Sequence, residues 1–139
     1  MFQTILCAVD GSAATERLLL YALHFGKTEQ ALLHVVHVFQ PPTHYAANEG
    51  YAELVALYRG VATNVVQDAR LFLQETGLEV SGEAIEGNPA EVILAEAGRI
   101  GADLILLGSR NPADMTDMLL GSVSQQVLAA APIPVFVCP

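Results

Sequence analysis

The sequence predicts one α/β domain that is built around a mostly parallel β-sheet. Two observations carry this fold class. Short apolar runs rich in β-branched residues alternate with longer stretches in which apolar residues recur at helical spacing, which is the pattern of strand–helix–strand units. The chain has 139 residues, of which 53% are hydrophobic. It can therefore build a packed core, and its composition is not that of a disordered protein.

The first half of the chain is predicted to form a strand, a helix, a second strand, a loop and a long helix, over residues 4–9, 13–27, 32–39, 40–44 and 48–76. Ser12 is a suitable N-cap for the first helix, because its hydroxyl can accept a hydrogen bond from the first turn. The long helix has apolar residues at spacings of three and four and closes at Gly77. Its apolar stripe comprises Leu54, Leu57, Tyr58, Val61, Val65, Phe72 and Leu73.

The second half is predicted to form a strand, a helix, a strand, a helix and a last strand, over residues 78–85, 89–100, 103–108, 122–131 and 135–138. Alternating polar and apolar residues in the first of these strands indicate an edge strand with one solvent-exposed face. The motif Asn88-Pro89-Ala90-Glu91 supplies an N-cap, a proline at the first helical position and an acidic residue that reaches back. The strand over 103–108 is the most continuously apolar one, and we predict it at the centre of the sheet.

The charge balance and the apolar runs exclude several classes of partner. Fifteen acidic residues outnumber six basic ones, giving a formal net charge of −9. Nucleic-acid-binding modules hold the phosphate backbone with clustered lysines and arginines, so no nucleic-acid partner is expected. No apolar stretch approaches the ~18–20 residues that cross a membrane, and the chain start lacks the basic region of a signal peptide. We expect a cytoplasmic protein with no membrane partner.

The sequence indicates no disulfide and no metal site. Cys7 and Cys138 lie far apart in apolar runs, without the spacing of a redox or ligand motif. We predict two buried free thiols. His34 and His37 are three positions apart in a strand and so face opposite sides of the sheet. They are expected to have packing or hydrogen-bonding roles.

Two strand ends have the residues of a ligand site. In open parallel sheets, ligands bind beyond the carboxyl ends of strands, where glycine permits close backbone approach. Here the relevant turns are 9–12 and 107–111, and the second leads to Gly121-Ser122 at a helix start. A helix N-terminus of this kind suits an anion such as phosphate. The glycine-rich fingerprints of P-loop hydrolases and dinucleotide dehydrogenases are both absent.

Six short motifs in order resemble a known family over essentially the whole chain, 1–139. They are 5–12 (ILCAVDGS), 33–38 (LHVVHV), 86–90 (EGNPA), 101–110 (GADLILLGSR), 120–124 (LGSVS) and 134–137 (PVFV). The chain resembles the universal stress protein family, with a single UspA-like domain. The resemblance implies a three-layer sandwich with a five-stranded parallel sheet of order 3-2-1-4-5, of the adenine nucleotide alpha hydrolase-like or Rossmann-like type. It also implies a homodimer.

Many members of that family bind ATP through Gly-x2-Gly-x9-Gly-Ser/Thr, and this chain reads Gly108-x2-Asn111-x9-Gly121-Ser122. By resemblance, Asp10 would meet the ribose or adenine side. Arg110 follows Gly108-Ser109, and from that position it would contact a phosphate or a partner subunit. The residues that would wall the adenine are Ala8, Val38 and Leu107. Those that would cradle the phosphates of ATP, with Mg²⁺ as the accompanying cation, are Gly108, Asn111, Gly121, Ser122 and Val123. A solvated surface position is the other interpretation of Arg110.

Two functions remain open. The first is a stress-response protein that binds ATP as a regulatory ligand and has no efficient catalysis of its own. In the second, Asn111 and the acidic loop with Asp114 and Asp117 have closed the phosphate site, leaving a stress-associated dimeric interaction protein. A slow ATPase is a weaker third hypothesis, because the sequence shows no catalytic lysine and no nucleophile beside a base.

The last strand gives an independent argument for a dimer. Residues 135–138 are apolar and terminal, and an uncovered apolar edge strand promotes aggregation. We therefore predict a homodimer that pairs through Val135–Cys138.

Overall fold

A computed structural model describes residues 1–109 and 120–139. Within these ranges the chain forms strands β1–β5 and helices α1–α4, together with one 3₁₀ turn at Thr43–Tyr45. The strands are β1 (Thr4–Ala8), β2 (Leu32–Phe39), β3 (Val80–Glu86), β4 (Leu104–Gly108) and β5 (Val135–Cys138). The helices are α1 (Ala14–Glu29), α2 (Tyr51–Gln74), α3 (Pro89–Ile100) and α4 (Ser122–Ala130).

The five strands form one parallel sheet of order β3-β2-β1-β4-β5, which confirms the predicted fold class and strand order. The middle strand is β1, where Ile5 pairs with Leu33 on one side and with Leu104 on the other. The prediction that β4 lies at the centre is wrong. A continuous apolar run indicates that both faces of a strand are buried. Both β1 and β4 are interior strands buried in this way, so the run does not tell which of them is the middle strand.

Helices cover both faces of the sheet and enclose two cores. One core lies under α1 and α2 and includes Leu18, Val66 and Leu73. The other lies under α3 and α4 and includes Ile93 and Val127. Asp103, just before β4, links the starts of the neighbouring strands β1 and β4: its carboxylate accepts from the N–H of Gln3 at 2.9 Å and of Thr4 at 3.2 Å.

The start of α3 follows the sequence prediction and the start of α1 does not. The Asn88 side chain accepts from the N–H of Glu91 at 3.1 Å, as expected of an N-cap before Pro89. Ser12, in contrast, does not cap α1. Its hydroxyl donates to Asp10 Oδ1 at 2.6 Å, and the helix begins at Ala14 without a side-chain cap. A nearby carboxylate competes for the hydroxyl that a cap would need.

Helix α2 is shorter than predicted, and the face that it buries differs from the predicted apolar stripe. Gly50, with a φ of 87°, precedes the helix, and Gly77, with a φ of 86°, closes the turn that follows it. The buried residues of α2 are Ala62, Val66, Ala69 and Leu73. Leu57 and Val61 remain 68% and 65% exposed. Small residues allow the helix to pack closely on β3, so the larger apolar residues next to them lie outside the core.

Candidate functional site

A cavity of about 140 Å³ opens at the carboxyl ends of β1 and β4, where the chain connections diverge to opposite faces of the sheet. This is the position at which open α/β sheets bind ligands. Its described lining consists of Ala8, Val9, Asp10, Ala14, Thr15, Leu18, Val36, His37, Val38, Pro89, Ile93, Leu107, Gly108, Gly121, Val123 and Ser124. The walls are mainly apolar, with a few polar groups at the rim.

Most of the residues predicted for the site lie in this lining: Ala8, Asp10, Val38, Leu107, Gly108, Gly121 and Val123. Ser122 is exposed at the first position of α4 and is not among the lining residues. Arg110 and Asn111 lie outside the described residues, as do Asp114 and Asp117. The binding roles of all these residues remain predictions.

Asp10 is held in place by the loop that follows β1. Its Oδ1 accepts from the Ser12 N–H at 2.9 Å, the Ser12 hydroxyl at 2.6 Å and the Thr15 hydroxyl at 3.1 Å. Thr15 in turn accepts from the N–H of Gly11, whose φ of 79° permits the tight turn. Three donors on one oxygen orient the carboxylate at the cavity rim before any ligand arrives.

The opposite rim is the start of α4. The Gly121 N–H donates to the Ser109 carbonyl at 2.6 Å, and the Ser124 hydroxyl donates to the same carbonyl at 2.7 Å. Gly121 is the N-cap, without a side-chain bond to the helix. The next N–H groups, of Ser122 and Val123, have no acceptor within the helix, as in the first turn of any helix. Among the described residues, these two amides are available to an anion at this end of α4.

His37 is a cavity residue that the sequence analysis assigned only to packing or hydrogen bonding. Its Nδ1 lies 2.8 Å from the Val9 carbonyl oxygen. Because a carbonyl only accepts, Nδ1 carries the proton, and in the neutral ring Nε2 is an acceptor. The signal that could have found it is its position near the carboxyl end of β2, next to β1.

A second polar cluster lies on the α3 face of the sheet. His34 Nε2 is 2.9 Å from Glu96 Oε2, and His34 Nδ1 is 2.6 Å from the Ser81 hydroxyl. Arg99 binds both Glu96 oxygens, with Nε 2.6 Å from Oε1 and Nη2 2.7 Å from Oε2. Those bonds from Arg99 are the main reason that the pKa of Glu96 falls to about 2, while burial opposes the shift and His34 supports it.

Donor atoms of His34, Glu83 and Glu96 lie within 4.8 Å of one another. A cation could share such a set, and the Arg99 guanidinium already supplies a positive charge there, with Nη2 also 3.6 Å from Glu83 Oε2. The sequence analysis missed this cluster because its members come from β2, β3 and α3.

The two cysteines are free and buried, as predicted. Burial raises the pKa of the Cys7 thiol to about 12, with a smaller contribution from Cys138. Burial also raises the pKa of Cys138. Both thiols are therefore protonated and weakly reactive at neutral pH.

A protein-family model described as the universal stress protein family matches residues 1–139. The chain belongs to the universal stress protein family. Among curated relatives, it is 35% identical to a universal stress protein of Thermus aquaticus, over 97% of each chain. It is 31% identical to the stress response protein NhaX of Bacillus subtilis, over 96% of this chain and 95% of NhaX.

Solved structures share the fold. The protein MJ0577 of Methanocaldococcus jannaschii superposes with a TM-score of 0.89 at 27% identity, covering 99% of this universal stress protein and 96% of MJ0577. A universal stress protein of Archaeoglobus fulgidus in complex with dAMP has a TM-score of 0.72 at 22% identity, over 99% and 98% of the two chains. The structure of a universal stress protein in complex with cAMP has a TM-score of 0.71 at 21% identity, covering 98% of this chain and 95% of that chain.

Among the helices in residues 1–109 and 120–139, none is both long and apolar enough to cross a membrane.

Proposed function

We propose that this universal stress protein binds an adenine nucleotide, ATP, as a regulatory ligand in the cavity between β1 and β4. The observation that carries the proposal is the lining itself. Apolar walls from Ala8, Val38 and Leu107 lie between an oriented carboxylate and a helix N-terminus. Such a cavity offers a flat base an apolar slot and offers phosphates free amides. That two family members form complexes with dAMP and cAMP supports the adenine nucleotide class.

Each part of the nucleotide has a counterpart in the described lining. The ribose hydroxyls would donate to Asp10, whose Oδ1 is already fixed by Ser12 and Thr15. The phosphates would accept from the Ser122 and Val123 amides at the positive end of the α4 dipole. With Mg²⁺ bound to them, the phosphates would carry less negative charge near Asp10.

We propose further that the bound nucleotide is not turned over efficiently. Phosphoryl transfer requires positive groups that stabilise the charge developing on the transferred phosphate. The chain's one lysine, Lys27, lies in the last turn of α1, at the opposite end of that helix from the cavity, so Arg110 is the one cationic residue of the nucleotide motif. A bound nucleotide would then act by its presence, as expected of a regulatory ligand.

Calorimetric titration of nucleotide-free protein with Mg-ATP tests the proposal. We expect saturable binding with a dissociation constant below the millimolar range. No detectable heat at millimolar Mg-ATP would overturn it and favour the alternative of a dimeric interaction protein whose phosphate site is closed.

Replacing Asp10 with alanine is expected to weaken ATP binding about tenfold, which is the loss of roughly 1.4 kcal/mol for a hydrogen bond to a charged group. The same titration measures the change. Glu16→Ala is the matched control, because it removes one negative charge from the exposed first turn of α1 without altering the cavity lining. Equal affinities for the two variants would contradict the role of Asp10.

Replacing Asn111 with glycine is expected to increase the affinity for Mg-ATP several-fold. Glycine tolerates left-handed backbone conformations and adds no side chain where the phosphates would pass. Asn111 stands where the family motif has its second glycine. An affinity that does not change would contradict the expectation that the Asn111 side chain hinders phosphate binding.

We propose that the protein is a cytoplasmic homodimer that pairs through β5. In the edge strand β5, Val135, Phe136 and Val137 are half-buried. The ring centroid of Phe136 lies 4.8 Å from that of Tyr21, which is 38% exposed. Two free thiols support a reducing compartment. Sedimentation should give twice the chain mass of 14.8 kDa, and a monomer at micromolar concentration would contradict the pairing.

A further inference from the structure

We propose that Ser81 is a base-activated nucleophile that takes an acyl group from an activated ester or thioester. The proposal concerns the polar cluster on the α3 face, away from the nucleotide cavity, and it does not depend on nucleotide binding. It rests on a continuous relay from the Ser81 hydroxyl through His34 to Glu96, with spacings of 2.6 and 2.9 Å. In enzymes that use covalent catalysis, the nucleophile is hydrogen-bonded to a base, and a third group orients that base.

The hydrogen-bond partners fix the proton positions in this relay. Glu96 is held as a carboxylate by two bonds from Arg99, so it can only accept from His34 Nε2. The neutral ring of His34 then carries its proton on Nε2 and has its lone pair on Nδ1. Nδ1 lies 2.6 Å from Ser81 Oγ and accepts the hydrogen bond from that hydroxyl. Ser81 is thus bonded to the basic atom of the imidazole.

The burial pattern separates the nucleophile from the groups that prepare it. His34 and Glu96 are 5% and 6% exposed, which keeps both rotamers fixed under α3. Ser81 is exposed on β3, and it is paired in register with His34 on β2. Since β3 is an edge strand of the described sheet, reagents can approach Ser81 from the open side, where strand N–H groups lack a sheet partner.

The other described serines with a side-chain bond lack this arrangement. The Ser12 hydroxyl donates to the Asp10 carboxylate, and the Ser124 hydroxyl donates to two backbone carbonyls. Neither is bonded to an imidazole. Ser12 is half-buried and Ser81 is exposed, so both are accessible in part and differ in the group that accepts their hydroxyl proton. Ser12 is therefore the internal reference.

The chemical step is an ordinary acyl transfer. Ser81 Oγ attacks the carbonyl carbon of the donor, and the bond to the alcohol or thiol leaving group breaks. The hydroxyl proton passes to His34 Nδ1 and then to the leaving group. The products are an ester on Ser81 and a free alcohol or thiol. Glu96 and Arg99 act as positioning residues, because they hold His34 without touching the reacting atoms.

Labelling of the whole protein with a fluorophosphonate probe tests the proposal, followed by peptide mass spectrometry. The probe forms a bond from serine oxygen to phosphorus with loss of fluoride, and it selects serines activated by a base. We expect Ser81 to be labelled at least tenfold faster than Ser12. His34→Gln should slow Ser81 labelling roughly 100-fold, the range of a general base, and Glu96→Gln should slow it less.

Two controls separate activation from simple exposure. Ser12→Ala should leave the labelling of Ser81 unchanged, whereas Ser81→Ala should remove the label. Labelling of the native protein should also disappear in urea, a comparison that needs no variant and so holds even where His34→Gln does not fold. Ser81 labelling no faster than that of Ser12 would overturn the proposal. So would Ser81 labelling in urea as fast as in the native protein, or Ser81 labelling in folded His34→Gln as fast as in the wild type.

Discussion

Replacing Gly82 with alanine should lower the free energy of unfolding by about 2 kcal/mol, the usual cost of forcing a methyl group into a packed site. A Cβ at this position would lie 2.7 Å from Val66 Cγ1, 2.9 Å from Arg70 Cδ and 3.1 Å from the Val35 carbonyl oxygen. Val66 is buried and Val35 contributes backbone, so neither can move away freely. Helix α2 would have to separate from β3.

Gly60→Ala is the matched control, because it adds the same methyl group to the exposed side of α2. Nothing lies within 4 Å of the added Cβ there. Alanine in a helix interior should instead raise stability by about 0.5–1 kcal/mol. Urea unfolding followed by circular dichroism measures both variants. Changes of the same sign in the two would contradict the close contact between α2 and β3.

Replacing Glu96 with glutamine should cost on the order of 2 kcal/mol of stability at neutral pH. The carboxylate is 6% exposed and is bonded to both Arg99 and His34. Glutamine keeps the shape and loses the charge. The Arg99 side chain is 60% exposed, so solvent screening reduces the effect below the value that the full pKa shift would give.

The effect should depend on pH in a defined window. The pKa of Glu96 is about 2 in the folded protein and near 4.5 in an unfolded chain, so its contribution is present above pH 4.5 and is lost as the pH falls to 2. Urea unfolding of both proteins between pH 2 and pH 7 should show the difference closing over that range. Glu79→Gln, at an exposed position before β3, should show no such difference. A difference that stays constant with pH would contradict the ion pair.

The sequence predicted elements best where local signals mark both ends. Strand β2 ends at the residue before Gln40 and the proline pair, and α3 lies between the Asn88 cap and Gly101, whose φ is 68°. Pro134 precedes β5. At these places a backbone restriction decides the boundary, and no distant contact is needed to find it.

The sequence could not predict features that depend on packing between distant segments. Ser81 and Glu96 are 47 and 62 positions from His34, and only the register of β2 with β3 and the seating of α3 bring them together. The prediction of which face of α2 is buried failed for a similar reason. Periodicity locates an apolar stripe, but it does not show that Ala62, Val66 and Ala69 are the buried residues of α2 or that Val66 packs closely against Gly82.

The position of β1 in the sheet has a consequence for biosynthesis. This strand is synthesised before β4, yet one of its edges pairs with β4. The backbone N–H of Gln3 donates to the side chain of Asp103, 100 positions further along the chain. Until that segment is made, β1 can pair only with β2, and the apolar edge that will meet β4 stays open to other nascent chains. The middle strand of the sheet thus gains its second neighbour only after β4 has been synthesised.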